Sequence, residues 1–500
     1  MDEYNQTLVE NLHPPQWQNP EPARRYNLVV IGGGTAGLVT AGGAALLGGK
    51  VALIEKHLLG GDCTNVGCVP SKALIRASRA AAAVRNAHHY GTYVPDGTHV
   101  DFGKVMERLR RVRAEISHDD SVKRFQEMGV DVFLGAAHFT SPETVEVGGK
   151  TLRFQKAVIA TGGRAGKLPI EGLEESGYLT NETVFSLTER PNRLAVIGGG
   201  FIGCELAQAF HRLGSEVILL QRGARILKRE DADAAEIIQQ VFRREGIQLL
   251  LNANTTRVER RDGEKVLYYE IEGQEKMVVV DEILVAVGRK PNIEGLNLES
   301  VGVETNKKGI VIDDYLRTTN PFIYAVGDVA MKWKFTHAAD AAARIVIQNA
   351  LFSVAKVGRK KLSSLVVPWC TYTTPEVAHV GMYEEEAREQ GIGVETYRIP
   401  LEDVDRAVVD EETEGFAKIH LKKGSDKILG ATIVSPHAGE IINTITLAMT
   451  NGLGLGAIAD TIFPYPTQAE VIRKAADTYN LERLTGSLKG ITSKWLAWQR

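Results

Sequence analysis

Cys63 and Cys68 are the residues best placed for chemistry. They stand five positions apart in LLGGDCTNVGCVPSKALIRASRAAAAV, with Gly67 before the second cysteine and an alanine-rich helical pattern beginning around Pro70. The spacing is too wide for a Cys-x-x-Cys zinc arrangement, and no second pair exists to complete four ligands. A disulfide at a helix start has a redox use instead, because the helix dipole stabilises a thiolate released there. Cys204 and Cys370 stand alone, and four cysteines in 500 residues exclude a disulfide scaffold.

Two glycine turns can supply partners for such a pair. The run YNLVVIGGGTAGLVTAGGAALLGGKVALIEK reads as strand, turn, helix, strand. Leu28 to Ile31 form an apolar strand of the kind buried in a parallel sheet. Gly32, Gly34 and Gly37 then fit G-x-G-x-x-G, which gives a tight turn, a close approach to a pyrophosphate and close helix–strand packing. The pyrophosphate belongs on the helix N-terminus. Glu55 closes the second strand, where a carboxylate can accept from a ribose hydroxyl. The pattern returns in RLAVIGGGFIGCELAQAFHRLGSEVILLQR, with Gly198, Gly200 and Gly203 in the same roles. Here the second strand ends in Gln221 and Arg222, with Arg225 close by. A neutral side chain beside arginines welcomes a 2′-phosphate that a carboxylate would repel, which favours NADPH over NADH. Two such units point to two nucleotides, one a tightly held flavin and the other a transient nicotinamide.

The rest of the chain bounds the architecture. Five hundred residues exceed one core and are consistent with about three domains. The 44% apolar and 24% charged residues argue against general disorder, and a net charge of −3 gives no electrostatic case for nucleic acid or an anionic membrane. No run of 18 apolar residues exists, so no transmembrane helix is expected. Residues 1–25 lack the pattern of a signal or transit peptide and read as an arm leading into the first strand, so a cytoplasmic location is expected. The tail KGITSKWLAWQR reads as a helix docked on its own protein, with a membrane-surface contact as the alternative.

The segment GGDCTNVGCVPSK resembles the active-site sequence of the flavin-dependent pyridine nucleotide-disulfide oxidoreductases, a family that includes dihydrolipoamide dehydrogenase, glutathione reductase and mercuric reductase. The resemblance covers roughly residues 26 to 480. It implies an α/β fold of two Rossmann-like dinucleotide-binding domains plus a C-terminal α+β dimerisation domain, with FAD and NADPH as cofactors. It implies that Cys63 handles substrate, that Cys68 contacts the flavin, and that Lys72 and Glu205 pair beside the ring. ATGGRAGKLPIEG (160–172) resembles the family's crossover between nucleotide domains, AVGRKPN (286–292) the return, and TTNPFIYAVGDVA (318–330) the second flavin signature, in which Asp328 binds the ribityl and phosphate region. Lys56, Gly61, Thr161, Gly162 and Gly288 complete the implied cofactor-binding set. The implied boundaries are an arm at 1–25, a discontinuous flavin domain at 26–170 and 290–365, a nicotinamide domain at 171–289, a dimerisation domain at 366–480 and a tail at 481–500.

From about residue 366 alternating strands mix with helices, and this stretch resembles the domain through which the family forms homodimers with shared active sites. The informative departure lies in IFPYPTQAEVIRK. Disulfide-reducing members have a histidine where this chain has Tyr465, while Pro466, Thr467 and Glu470 remain. A histidine with pKa near 6.5 shuttles protons at neutral pH, and a tyrosine near 10 does so poorly. Mercuric reductases are similar to this chain in having tyrosine there. The expected function is therefore electron transfer from NADPH through FAD to a Cys63–Cys68 disulfide and on to a soft metal ion, foremost Hg(II), with both cysteines as transient ligands. The tail lacks the cysteine pair of well-studied mercuric reductases, and Cys370 is a candidate substitute relay, although a buried structural role is favoured for it. The alternative is a reductase of a small disulfide, a quinone or another oxidant. The remote third reading is a flavin-binding protein without turnover.

Overall fold

The structure is a computed structural model that describes residues 2–353, 357–483 and 486–500. It divides into two compact units, one of residues 1–224 and 247–365, the other of residues 225–246 and 366–500.

The first unit holds both glycine turns, each at the carboxyl end of a buried parallel strand. Strands Val130–Leu134, Val51–Glu55, Tyr26–Ile31 and Lys150–Ile159 lie side by side in parallel, with Val30 opposite Leu53 and Val158. Late in the chain Ile323–Ala325 returns to this sheet beside Lys150–Ile159, so two distant segments share one core. The second parallel sheet runs Gln248–Leu251, Glu216–Gln221, Arg193–Ile197, Glu282–Val285. An antiparallel three-stranded sheet, Asn254–Arg261, Glu264–Ile271 and Gln274–Val280, packs with it around Leu173, Leu220, Leu267 and Val285.

The N-terminal arm contains a helix, Glu3–Leu12. Asp2 caps it by accepting from the Asn5 amide at 2.9 Å, and Leu8 and Leu12, one turn apart, are buried. It packs on the helix Phe102–Ser117, where Asn11 donates to Ser117 at 2.9 Å. Arg113 of that helix donates to Asn5 at 2.6 Å and to the Asn65 carbonyl at 2.9 Å. The N-terminal helix is thus tied to the turn that separates the two cysteines.

The second unit is built on a five-stranded antiparallel sheet in the order Pro368–Thr371, Glu376–Gly381, Ile428–Ser435, Phe416–Lys422, Val394–Pro400. Helices Ala438–Thr450 and Glu470–Glu482 cover its apolar side. The start of the helix Ala232–Glu245 and the two residues before it are held in this unit by polar groups. Trp369 and Tyr383 donate to Glu230 at 2.9 and 2.8 Å, Lys418 pairs with Asp233 at 2.7 Å, and Thr432 donates to Asp231 at 2.7 Å. The glycine-rich stretch after Thr450 contains a further short helix, Leu455–Ala459.

The tail forms the helix Gly486–Trp498, and in the single chain every residue from 490 to 500 is exposed. Among the described residues no helix is long and apolar enough to cross a membrane.

Candidate active site

Cys63 lies within the short helix Gly61–Val66, and Cys68 opens the long helix Cys68–Asn86. That helix therefore starts two residues earlier than the alanine pattern indicates, and it places the Cys68 sulfur at its positive end. Cys68 is exposed and Cys63 half-buried. Their protonation differs. The hydrogen bond from Cys63 draws the Cys68 pKa below the ordinary thiol range, against burial, and Thr336 and the Lys72 charge add to the effect. The same hydrogen bond, with burial, pushes Cys63 up. The two thiols are thus shifted in opposite directions, Cys68 toward the thiolate and Cys63 toward the thiol.

Elements distant in sequence hold this arrangement. Thr336, the first residue of the helix Thr336–Ile347, sits with its hydroxyl 3.3 Å from the Cys68 sulfur. Lys72, one turn after Cys68 on the same face, pairs with Glu205 at 2.6 Å. Glu205 is 3% exposed on the helix Phe201–Arg212, which packs against the active-site helix. Its charge is matched by the lysine, and the pair fixes a cation beside the thiolate. Cys204 next to it is buried and donates weakly to the Gly199 carbonyl at 3.5 Å, a packing role.

The two glycine turns repeat one construction. A Cβ on Gly37 would stand 1.7 Å from the Gly32 carbonyl oxygen, and one on Gly203 would stand 1.9 Å from that of Gly198. Gly34 and Gly200 cap the following helices. Glu55 accepts from the Gly33 amide at 2.6 Å, and Gln221 accepts from the Gly199 amide at 2.9 Å. Glu55 also accepts from the His57 amide at 2.7 Å, across the intervening Lys56. Gly61 approaches the first turn so closely that its Cβ would lie 2.6 Å from the Gly34 Cα. Gly34 and Gly61 thus bring glycine backbone together at the N-terminus of Thr35–Leu46, which fits a dinucleotide pyrophosphate.

Asp328 accepts from Arg289 at 2.8 Å, and the same guanidinium pairs with Asp62, beside Cys63, and donates to the Gly163 carbonyl at 2.7 Å. Thr161 donates to the Asn292 carbonyl at 2.6 Å, with Gly162 following it and Gly288 just before Arg289. Arg222 is exposed at the end of its strand. Arg225 belongs to the second unit, where it donates to the carbonyls of Lys228 and Glu230 at 3.0 and 3.3 Å.

Tyr465 and Glu470 also lie in the second unit. Tyr465 is 70% exposed and donates to Asp405 at 3.0 Å. That hydrogen bond raises its pKa, which keeps the phenol protonated. Glu470 opens the helix Glu470–Glu482, and its Oε2 is buried with no hydrogen-bond partner among the described residues. Cys370 is half-buried on an edge strand and packs against the core of this unit.

Sequence reasoning missed Thr336, Arg289 and Asp405. Arg289 was within reach, because it stands inside AVGRKPN. Thr336 gave no local signal, since its sulfur partner is 268 positions away.

Residues 26–343 match the family model for pyridine nucleotide-disulphide oxidoreductases, and residues 367–476 match the model for that family's dimerisation domain. The chain belongs to this family. It is an FAD- and NAD(P)H-binding oxidoreductase fold of two Rossmann-like units with a C-terminal α+β dimerisation domain, which supports a homodimer. The mercuric reductase of Staphylococcus aureus is 38% identical over 456 residues, 91% of this chain and 82% of that protein. The dihydrolipoyl dehydrogenase of Chlamydia muridarum is 35% identical over 458 residues, 90% of this chain and 96% of that protein. The solved structure of the HOCl-induced flavoprotein disulfide reductase RclA from Escherichia coli superposes with a TM-score of 0.80 at 30% identity, covering 90% of this chain and 99% of that one.

Proposed function

We propose that this chain is an NADPH-dependent flavoprotein reductase of a small disulfide. The observation that carries the proposal is the unequal thiol pair, with Cys68 drawn toward thiolate by Cys63, Thr336 and Lys72. In the reduced enzyme the ionised Cys63 sulfur attacks one sulfur of the substrate disulfide and expels the other as a thiolate, which takes a proton. The Cys68 thiolate then attacks Cys63, releases the second substrate thiol and closes the Cys63–Cys68 disulfide. Bound flavin would supply the two-electron link between the nicotinamide and this disulfide, held by the Gly32–Gly37 turn, Gly61 and Asp328. Lys72, anchored by Glu205, keeps positive charge at the centre while negative charge develops there. The net change is one disulfide, one NADPH and one proton to two thiols and NADP⁺.

Two relatives support a disulfide substrate: the flavoprotein disulfide reductase RclA at 30% identity and the dihydrolipoyl dehydrogenase at 35% identity. In the dimer, Tyr465 and Glu470 are proposed to complete the partner's cysteine centre.

The second reading, two-electron reduction of Hg(II) held by Cys63 and Cys68, is favoured by Tyr465 and by the 38% identical mercuric reductase. A phenol held protonated by Asp405 is a poor proton shuttle for dithiol exchange, while metal transfer between thiolates needs none. Steady-state NADPH oxidation with lipoamide, oxidised glutathione and Hg(II) plus excess thiol separates the two. Faster turnover of a disulfide than of Hg(II) supports the proposal, and the reverse order transfers the assignment to the metal.

A further inference from the structure

The family match ends at residue 476, and the helix Gly486–Trp498 lies beyond it. Ile491, Trp495 and Trp498 follow one another at spacings of four and three, which puts them on one helical face. They are 66%, 56% and 76% exposed, and Leu496, on the other side of the helix, is 53% exposed. The two indole rings lie 5.2 Å apart, so they form one aromatic surface. From residue 484 onward the chain carries Lys489, Lys494 and Arg500 and no acidic residue. The rest of the protein is acidic on balance, since the whole chain has a net charge of −3.

We infer that this helix lies flat on an anionic lipid surface. Exposed tryptophans beside cations are the composition of an interfacial helix, because the indole seats at headgroup depth while lysine and arginine keep their charges in the phosphate layer. Lys494 flanks the aromatic stripe, and Arg500 follows two residues after the helix ends. A second copy of the same helix fits the face less well. Pairing like stripes would bring cations together with no acidic residue on the helix to offset them. The attachment is of the surface kind, since three apolar anchors and three cations fall short of a membrane-spanning segment. Two helices per dimer would act together, which multiplies a weak single contact.

Flotation of the full-length holoenzyme with vesicles tests this. One set is phosphatidylcholine with 30% phosphatidylglycerol, and the other is phosphatidylcholine alone, each at low salt and at 0.5 M salt. The expected result is flotation with the anionic vesicles at low salt, reduced at high salt. W495A/W498A and, separately, K494E/R500E should each lower the bound fraction about tenfold, with NADPH oxidation and dimer mass unchanged. No flotation of the wild type with anionic vesicles overturns the inference. Flotation undiminished in both variants overturns it too. Loss of the dimer in W495A/W498A, read by sedimentation, would instead assign the face to the second copy.

Discussion

The opposed shifts of Cys63 and Cys68 make separable predictions at the level of single side chains. Cys68 is stabilised as thiolate, so the long-wavelength thiolate–flavin absorbance of the reduced holoenzyme should persist well below the ordinary thiol pKa of about 8.5. Thr336→Val removes one hydrogen bond to that sulfur and should move the midpoint up by about one pH unit. A midpoint at or above the ordinary value would contradict the assignment of Cys68. Cys63 is shifted the other way and must lose its proton to attack, so disulfide reduction should climb with pH through the range above neutrality. Tyr465, held protonated by Asp405, does not supply the missing base. Tyr465→His should therefore raise disulfide turnover at pH 7 by roughly tenfold or more, measured as kcat/KM across pH. A flat profile in both proteins would remove proton transfer from the account. The cysteine pair was legible because five positions at a helix start exclude zinc and permit redox chemistry. Thr336 and Asp405 were not, because each acts through a contact that only folding creates.

At the scale of elements, the two glycine turns share a construction, and the proposal assigns flavin to the first and nicotinamide to the second. Gly203→Ala places a methyl group within 1.9 Å of the Gly198 carbonyl oxygen, which the helix can escape only by moving from its strand. The expected result is a full complement of bound flavin with a large rise in the NADPH KM. Flavin loss with an unchanged KM would reverse the assignment of the two turns. The N-terminal helix makes an independent prediction. Leu12 is fully buried against its neighbours, so Leu12→Ala should cost roughly 2–5 kcal/mol, read from denaturant unfolding followed by a probe in the first unit. The turns were readable because strand, glycines and helix are contiguous. The helix at 3–12 was overlooked because its burial depends on two leucines amid polar residues, meeting a face of the helix Phe102–Ser117 that sequence order does not reveal.

At the scale of the molecule, the fold class was accessible in the sequence because two copies of one supersecondary pattern and a β-rich third segment leave few architectures open. The grouping of residues 225–246 with residues 366–500 was not, since it rests on Glu230, Asp231 and Asp233 finding partners far along the chain. What covers the exposed tail helix was not legible either, as an apolar stripe in sequence does not say which surface covers it. Substrate choice is the property of the whole molecule on which everything else depends. The most direct measurement compares anaerobic NADPH oxidation by the wild type and Cys63→Ser, with lipoamide or oxidised glutathione against Hg(II) in excess thiol. The account predicts that a disulfide is turned over faster than Hg(II) and that Cys63→Ser abolishes this turnover. Faster turnover of Hg(II), or a Cys63→Ser enzyme that still reduces the disulfide, would contradict it.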